Sequence, residues 1–259
     1  IDDPVTVLDF SSLYPSEMIA SNLSHDSHCE NEHWLGDEGG KRIEALGYTY
    51  KDVTYDVYTW IDSTNHNKGK HKIGQTTERF VQYSDGKKGL LPQILQKLLG
   101  ARKATKKLLK NEQNEDKKKV LDGLQLAYKV TANSVYGQMG AKTSSIAFKK
   151  IAACTTAIGR ERIYDASDLV KEWAEKQGIP FEPEVVYGDT DSIFVKFNRS
   201  VGNGKVLKGY EALKYSIECG IKVGDYITKR LHEQLKKPQV LEYEKTFFPF
   251  ILISKKRYT

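Results

Sequence analysis

The sequence predicts a mixed α+β fold, in which helices back a mainly antiparallel sheet and an antiparallel helical hairpin is inserted. Two observations predict the hairpin. Apolar residues recur at a 3.6-residue spacing over 91–109 and again over 120–135, and a polar break at 111–116 separates the two runs. A third observation predicts the sheet: short β-prone runs, at 5–10 and 192–197 among others, adjoin polar or turn-forming residues.

The strands are expected in four places, the last of which is a β-rich run from Phe247. The first, 5–10, follows almost directly from the start of the chain and ends in an acidic and an aromatic residue. The polar region from about 25 to 88 contains strand-like stretches at 53–60 and 78–83. Gly-Asp-Thr-Asp at 188–191 lies between two apolar runs, which predicts a β-hairpin over 185–197.

The helices follow from apolar periodicity and from their end signals. Pro92 lies in the first turn of the first hairpin helix, where its missing N–H costs little. The second hairpin helix is expected to end near Gly137. Two further helices are predicted over 151–177 and 210–235.

The composition is typical of a globular protein with a buried core. Of the 259 residues 39% are apolar, and the mean hydropathy is −0.55. The longest apolar stretch, 247–253, is too short to cross a membrane, and no secretory leader opens the sequence. The three cysteines are odd in number and far apart, which favours a reducing, intracellular environment over a disulfide framework.

The positive charge is concentrated in one part of the chain. Residues 1–86 hold 7 basic and 15 acidic side chains, a balance of −8, whereas residues 87–119 hold 11 basic and 3 acidic, a balance of +8. Residues 120–259 hold 22 basic and 16 acidic, a balance of +6. This concentration is compatible with a polyanionic partner at a defined place. A solvated lysine-rich helix face is the alternative, and charge alone favours it.

Three aspartates are candidates for binding a divalent metal. Asp9 lies at the end of the first strand, and Asp189 and Asp191 lie in the turn between two later strands. Carboxylates at strand ends can meet across a sheet, and Mg²⁺ prefers such oxygen ligands. Two ions held there would bind both the attacking and the leaving oxygen of a phosphoryl transfer. The alternative is that Asp189 and Asp191 are ordinary turn residues.

The predicted hairpin carries candidate phosphate ligands. Arg102 and Lys106 are four residues apart on its first helix, and Lys129, Asn133 and Tyr136 share one face of its second. On antiparallel helices Arg102 and Lys129 are expected at similar heights, where both could contact one anion. The alternative is a solvent-directed Lys129 and a core Tyr136.

Four motifs relate these residues to a known family. In order along the chain they are Asp-Phe-Ser-Ser-Leu-Tyr-Pro-Ser at 9–16, Lys-Val-Thr-Ala-Asn-Ser-Val-Tyr-Gly at 129–137, Tyr-Gly-Asp-Thr-Asp-Ser at 187–192 and Lys-Lys-Arg-Tyr at 255–258. They resemble the three polymerase motifs and the lysine–tyrosine motif of family B DNA-directed DNA polymerases. The segment 90–107 is similar to the fingers of the delta-like and large DNA virus members.

The resemblance implies a role for each matching position near the metals. Asp9 and Asp191 would hold two metal ions together with the backbone carbonyl of Phe10, and Asp189 would be an auxiliary carboxylate. Glu244 aligns more loosely with an acidic residue near the metals, and a solvent-facing strand position is the alternative for it.

The resemblance also implies nucleotide and DNA contacts. The N–H groups around Ser12 and Leu13 would cradle the triphosphate, and Tyr14 would lie under the sugar, where a ribose 2′-hydroxyl would clash with it. The triphosphate clamp corresponds to Arg102, Lys106 and Lys129. The base-pair pocket corresponds to Asn133 and Tyr136. The DNA contacts correspond to Gly137, Lys256 and Tyr258.

The implied function is template-directed DNA synthesis from dNTPs on primer-template DNA, with two Mg²⁺ ions (or Mn²⁺ in their place). The implied domains are a palm at 1–87, with an insertion at about 25–86, fingers at 88–140, and the rest of the palm at 141–259. The exonuclease and thumb domains would lie outside this fragment. The expected partners include a sliding clamp or other accessory subunits, and no membrane contact is expected. The expected location is the nucleus or, for a virus, the host nucleus or a cytoplasmic replication site.

Two other function classes remain open at this point: a catalytically silent polymerase-like DNA-binding module and a two-metal nuclease. The region 25–86 matches no polymerase motif. Its four ligand-type residues, His25, His28, Cys29 and His33, are a weak zinc signal, and a surface loop is the favoured interpretation.

Overall fold

The computed structural model describes residues 1–62, 64, 68–179, 182–197, 206–234 and 237–259. Its contacts divide the chain into two compact units, one formed by Ile1–Ser16 and Gly159–Thr259 and the other by Glu17–Ile158. The predicted mixed α+β class is confirmed. The predicted limits of palm and fingers stay predictions.

In chain order the helices and strands are β1 (Val5–Phe10), α1 (Leu13–Ala20), β2 (His28–Cys29), a 3₁₀ turn (Glu32–Trp34), α2 (Gly36–Ala45), β3 (Thr49–Trp60), β4 (Lys70–Gln82), α3 (Leu90–Asn111), α4 (Glu115–Gly140), α5 (Lys149–Lys176), β5 (Glu184–Asp189), β6 (Ser192–Lys196), α6 (Gly209–Glu233), β7 (Leu241–Phe247), β8 (Leu252–Ser254) and β9 (Arg257–Tyr258).

The first unit is built on a four-stranded sheet in the order β5-β6-β1-β7. Every neighbouring pair in it is antiparallel, and β1 is an inner strand between β6 and β7. Because successive side chains of a strand point to opposite faces, β1 serves two different environments. Leu8 and Phe10 join one core cluster, whereas Val5 and Val7 join another.

Helices cover the face of this sheet that carries Leu8 and Phe10. Trp173 of α5 and Val223 of α6 belong to the same buried cluster as these two residues. Helix α6 approaches β1 closely at Gly220, where a Cβ would lie 2.5 Å from Cγ2 of Thr6. A side chain at Gly220 would therefore force the helix and the strand apart.

Aromatic side chains cover part of the opposite face. Phe194 of β6 stacks with Phe247 of β7 at a centroid distance of 6.5 Å, and Tyr258 of β9 meets Phe194 edge-on at 4.8 Å. Tyr187 of β5 and the buried Phe250 complete the cluster. The β8–β9 hairpin is thereby fixed to the same face of the sheet on which Asp9 lies.

The second unit contains a three-stranded antiparallel sheet in the order β2-β4-β3. Its buried Arg79 donates to both carboxylate oxygens of Asp52 at 2.7 Å and to the carbonyls of Trp34 and Gly36. The guanidinium also lies 3.8 Å from the ring centroid of Tyr50. This arginine therefore attaches the start of α2 to the sheet.

The hairpin of α3 and α4 is anchored at its base by polar side chains from the segment after α1. Asn22 accepts a hydrogen bond from the N–H of Gly89 at 2.7 Å, Ser24 one from Leu91 at 3.2 Å, and Asp26 one from Leu90 at 3.1 Å. Burial by itself would raise the pKa of Asp26, but the bonds from Ser24 and from the Leu90 N–H lower it. The first N–H groups of helix α3 are thus satisfied by side chains from a distant part of the sequence.

The predicted elements agree closely with the observed ones where the apolar pattern was strong. Helices predicted over 151–177 and 210–235 are observed as Lys149–Lys176 and Gly209–Glu233, and residue 235 lies outside the described residues. The two strands predicted in the 25–88 region extend much further, to Thr49–Trp60 and Lys70–Gln82. Helix α2 was missed because its sequence, Gly-Asp-Glu-Gly-Gly-Lys-Arg-Ile-Glu-Ala, contains one large apolar residue and therefore no apolar stripe.

Candidate active site

Asp9 and Asp191 are joined through the main chain. Asp9 lies opposite Ser192 in the pairing of β1 with β6, and the N–H of Phe10 donates to the carbonyl of Asp191 at 2.8 Å. The two candidate metal ligands therefore lie at the same end of the sheet, although 182 positions separate them in the sequence. The sequence prediction that strand ends bring these carboxylates together is consistent with this register.

The turn that carries Asp189 and Asp191 is unusually tight. The N–H of Asp191 donates to the carbonyl of Asp189 at 2.6 Å, across the single residue Thr190. Thr190 has a φ of 53°, a conformation that a β-branched residue rarely adopts. Strained backbone of this kind persists where the surroundings enforce it, and it clusters at functional sites.

The charges around Asp191 are arranged to favour a cation. Burial raises the pKa of Asp191, and the neighbouring carboxylates of Asp189 and Glu244 raise it further. Lys256 acts in the opposite direction, but its ammonium pairs directly with Asp189, at 2.7 Å. Asp189 is thus already neutralised by a side chain, which suits the auxiliary role expected for it.

Strand β7 brings two glutamates to this end of the sheet. Glu242 lies opposite Asp9 in the strand pairing, and Glu244 is the extra residue of a β-bulge, since Val7 pairs with Lys245 and Leu8 with Tyr243. A bulge redirects a side chain without breaking the strand. Glu244 also pairs with Lys245 at 3.1 Å and is exposed. Sequence analysis missed Glu242, whose position emerges only from the register.

The segment after Asp9 turns sharply into α1. Ser12 has a φ of 54°, in the left-handed region, and its carbonyl accepts the N–H of Ser16 at 3.0 Å. Leu13 is buried in the sheet-covering core, and the partly buried Tyr14 packs against it. A Cβ at Gly159 of α5 would lie 3.0 Å from Cε1 of Tyr14. The tyrosine ring therefore rests against a helix position that has no side chain, a contact that no motif or periodicity in the sequence indicates.

The lysine–tyrosine motif is hydrogen-bonded to the turn between β5 and β6, which carries Asp189 and Asp191. Lys256 has a φ of 66°, its N–H donates to the hydroxyl of Tyr187 at 2.9 Å, and its ammonium donates to the hydroxyl of Thr190 at 3.2 Å. Tyr258, the other predicted DNA contact, packs in the aromatic cluster described above. Both residues are placed within the unit that carries the aspartates, and their contacts to DNA stay predictions.

The candidate nucleotide ligands of the second unit lie on its helical hairpin. Arg102 of α3 donates to the side-chain oxygen of Gln125 of α4 at 3.4 Å, one turn before Lys129. This contact places Arg102 at the height of Gln125, about 6 Å along the helix axis from Lys129, and a shared anion for Arg102 and Lys129 stays a prediction. Lys106, Lys129 and Asn133 are exposed.

The predicted base-pair pocket shows two distinct surfaces. Tyr136 packs partly against the core of the second unit, and burial raises the pKa of its hydroxyl. No heavy atom lies within 4 Å of the position that a Cβ on Gly137 would take. The main chain at Gly137 is therefore open on that side, and its role near the base pair stays a prediction.

The side chains present suit Mg²⁺ better than a metal that needs many protein ligands. Within the described ranges, no three His, Cys, Asp or Glu side chains are grouped to hold a metal ion. Mg²⁺ usually takes one or two protein carboxylates and completes its shell with water and substrate phosphates. Two aspartates at one end of the sheet, in an environment that raises the pKa of Asp191, are compatible with that requirement.

The four ligand-type residues of the weak zinc signal do not come together. His25 stacks on Phe148 at 5.0 Å, and His33 packs edge-on against Trp34 at 4.8 Å. His28 contacts the carboxylate of Glu78 at 2.7 Å, and Cys29 is buried. His28 and Cys29 form strand β2, so the predicted surface loop is wrong for this part of the region.

Comparison with known proteins agrees with this geometry. The model of DNA polymerase family B matches residues 1–259. The chain belongs to DNA polymerase family B. It is 40% identical to the DNA polymerase of Pyramimonas orientalis virus over 100% of the chain and 23% of the relative, and 40% identical to that of Phaeocystis pouchetii virus over 92% and 24%. It is 38% identical to the DNA polymerase delta catalytic subunit of Candida albicans over 99% and 21%.

This family B chain spans about a quarter of the length of the viral relatives and about a fifth of the Candida albicans protein. The match to both groups agrees with the expected similarity to delta-like and large DNA virus members. Among its described helices, none combines the length and the apolar character needed to cross a bilayer.

Proposed function

We propose that this chain provides the palm and fingers of a replicative DNA polymerase and transfers deoxynucleotides from dNTPs to a primer 3′-hydroxyl, releasing pyrophosphate. The observation that carries the proposal is the main-chain bond between Phe10 and Asp191, since it holds two carboxylates at one end of the sheet. Primer-template DNA and dNTPs are the partners, and an intracellular replication site, nuclear or viral, is the location.

Asp9, Asp191 and the backbone carbonyl of Phe10 would hold two Mg²⁺ ions. When bound, such ions activate the 3′-hydroxyl and neutralise the charge on the leaving pyrophosphate. The protein's own part is positioning and charge stabilisation, which dominate phosphoryl transfer. Asp189, paired with Lys256, holds the turn that presents Asp191.

The incoming nucleotide would be bound by two sets of groups. Main-chain N–H groups around Ser12 and Leu13, at the left-handed start of α1, would form an anion site. Arg102, Lys106 and Lys129 would contact the triphosphate from the fingers, where the guanidinium fork suits phosphate oxygens. Tyr14 would exclude a ribose 2′-hydroxyl, and Asn133 and Tyr136 would border the new base pair.

Primer extension tests the proposal and separates it from the two alternatives. The chain is assayed alone and as a chimera in which it replaces the matching segment of the Pyramimonas orientalis virus polymerase. Each sample receives primer-template, Mg²⁺ and one labelled dNTP. We expect the primer to grow. A primer that shortens supports the nuclease, and a primer that is bound but unchanged supports the silent module.

A matched pair of variants tests the metal assignment. Asp191→Ala in the chimera is expected to reduce extension more than a hundredfold, about 2.7 kcal/mol of barrier. The control is Asp225→Ala, which removes an exposed carboxylate from α6 and should leave the rate within about twofold. A loss of less than about tenfold for Asp191→Ala would contradict the assignment.

A further inference from the structure

The distal half of the β3–β4 hairpin presents aromatic and cationic side chains on one face. Tyr58 of β3 lies opposite Lys72 of β4, and Trp60 lies opposite Lys70. Residues directly opposite each other, and residues two apart on a strand, share a face of the sheet. These four residues, here called the ribbon face, therefore form two aromatic–lysine pairs side by side.

The ribbon face is not part of a hydrophobic core. Tyr58 is 51% exposed and Trp60 is 38% exposed, whereas Val53 and Phe80, nearer the base of the same hairpin, are buried. A register shift after Val57 marks the change. Two large aromatic rings kept accessible on a ribbon that the core does not need point to a binding role.

The charges around the rings are mixed and have a small positive balance. Lys70 lies 4.3 Å from the ring centroid of Trp60, so an ammonium and an indole face occur within a single residue pair. Residues 56–73 contain three lysines and two aspartates, a balance of +1 within a region that is acidic as a whole. Asp56 offsets Lys72 at 2.7 Å, and Asp62 offsets Lys68 at 2.9 Å.

We propose that the ribbon face binds single-stranded DNA, with bases stacked on Tyr58 and Trp60 and phosphates contacted by Lys70 and Lys72. Aromatic side chains that accept any base, interleaved with cations that contact the backbone, are the usual means of binding single strands without sequence preference. The proposal concerns a surface outside the polymerase motifs and does not depend on catalysis.

Fluorescence anisotropy with a labelled oligodeoxythymidylate of about 16 nucleotides tests the proposal, because single-strand sites reach about that size. The 259-residue chain is titrated in EDTA without dNTP, so that failure of the metal assignment cannot affect the result. We expect Trp60→Ala and Tyr58→Ala each to weaken binding about fivefold or more, as loss of one base stack does. Trp60→Phe, which keeps a ring, should retain most of the affinity.

The lysines and the opposite face of the ribbon provide the controls. Lys70→Gln should reduce the slope of the logarithm of the binding constant against the logarithm of salt concentration by about 0.7, which corresponds to one phosphate contact on a single strand. Thr59 and His71 lie opposite each other, and their side chains point to the other face of the hairpin. Thr59→Ala and His71→Ala should therefore leave the affinity for the oligonucleotide within about twofold. Equal losses on both faces, unchanged binding by Trp60→Ala, or losses seen with oligouridylate but not with oligodeoxythymidylate would overturn the proposal.

Discussion

The ring of Tyr14 rests against Gly159: a Cβ built on the glycine would lie 3.0 Å from Cε1 and 3.5 Å from Cδ1 of the tyrosine. Real Cβ contacts are seldom as short as 3.0 Å, so any side chain at this position would displace the ring. If Tyr14 lies under the sugar of the incoming nucleotide, as proposed, then α5 determines where that ring stands.

Gly159→Ala should therefore disturb nucleotide use. We expect kcat/KM for a correct dNTP to fall about fivefold, or ~1 kcal/mol of transition-state stabilisation, and the preference for dNTP over rNTP to change as well. Single-nucleotide insertion kinetics with paired dNTP and rNTP substrates measure both quantities.

Gly220→Ala is the matched control for loss of packing. Its Cβ would approach Thr6 even more closely, at 2.5 Å, but on α6 and away from Tyr14. This variant should lower the melting temperature while leaving the ratio of dNTP to rNTP use unchanged. A change of that ratio in Gly220→Ala as large as in Gly159→Ala would contradict the positioning role.

Removal of the charge of Asp191 should stabilise the metal-free protein while abolishing activity. Burial raises the pKa of this carboxyl, so the folded state holds its proton more tightly than the unfolded state does. The contribution of Asp191 to stability in EDTA should therefore become more favourable as pH falls from neutrality through the raised folded-state pKa. Asp191→Asn should melt higher at neutral pH and lose this part of the pH dependence, as followed by thermal unfolding at a series of pH values. A lower melting temperature for Asp191→Asn in EDTA would count against this account.

Substitution of the proposed triphosphate ligands Arg102 and Lys129 should affect nucleotide binding more than substitution of other cations in the lysine-rich segment. Arg102→Ala and Lys129→Ala are expected to raise KM for dNTP about tenfold or more, equivalent to ~1.4 kcal/mol each. Lys103→Ala, on the residue next to Arg102, removes an equal charge from a position that no motif contact requires, and should change KM less than about twofold. Equal effects at positions 102 and 103 would mean that general charge, not a specific contact, binds the triphosphate.

The hairpin region after α1 should depend on Arg79. This guanidinium is 5% exposed in its side chain, and it satisfies Asp52 and two carbonyls at once. Arg79→Ala should destabilise the β2-β4-β3 sheet by about 3 kcal/mol, because it leaves partners without their donors. Hydrogen exchange of the strand amides measures this change.

The control is on the same hairpin. Lys72→Ala breaks the exposed pair with Asp56 at 2.7 Å, and should cost less than about 1 kcal/mol. Similar losses of protection in the two variants would show that Arg79 acts as an ordinary surface cation.

The fold class and most helices could be predicted from the sequence because their apolar residues repeat regularly. The positions of Asp9 and Asp191 at strand ends could also be predicted, because their motifs are local, while their metal-binding role stays a prediction. The long-range relationships could not be predicted. Glu242 faces Asp9 only because of the register of β7, and Gly159 meets Tyr14 only because α5 crosses the start of α1. Strand β2 and helix α2 were missed because one is two residues long and the other has almost no apolar face.

The bond from the Phe10 N–H to the Asp191 carbonyl joins backbone to backbone, so its formation requires no particular side chain at either position. Substitutions along β1 and β6 can therefore accumulate without changing how far apart the two aspartates are held, provided that the strands still pair. Sequence drift between lineages would then alter the packing behind the site while its spacing is inherited unchanged. For protein engineering, the same feature makes this strand pair a unit to be exchanged whole between relatives.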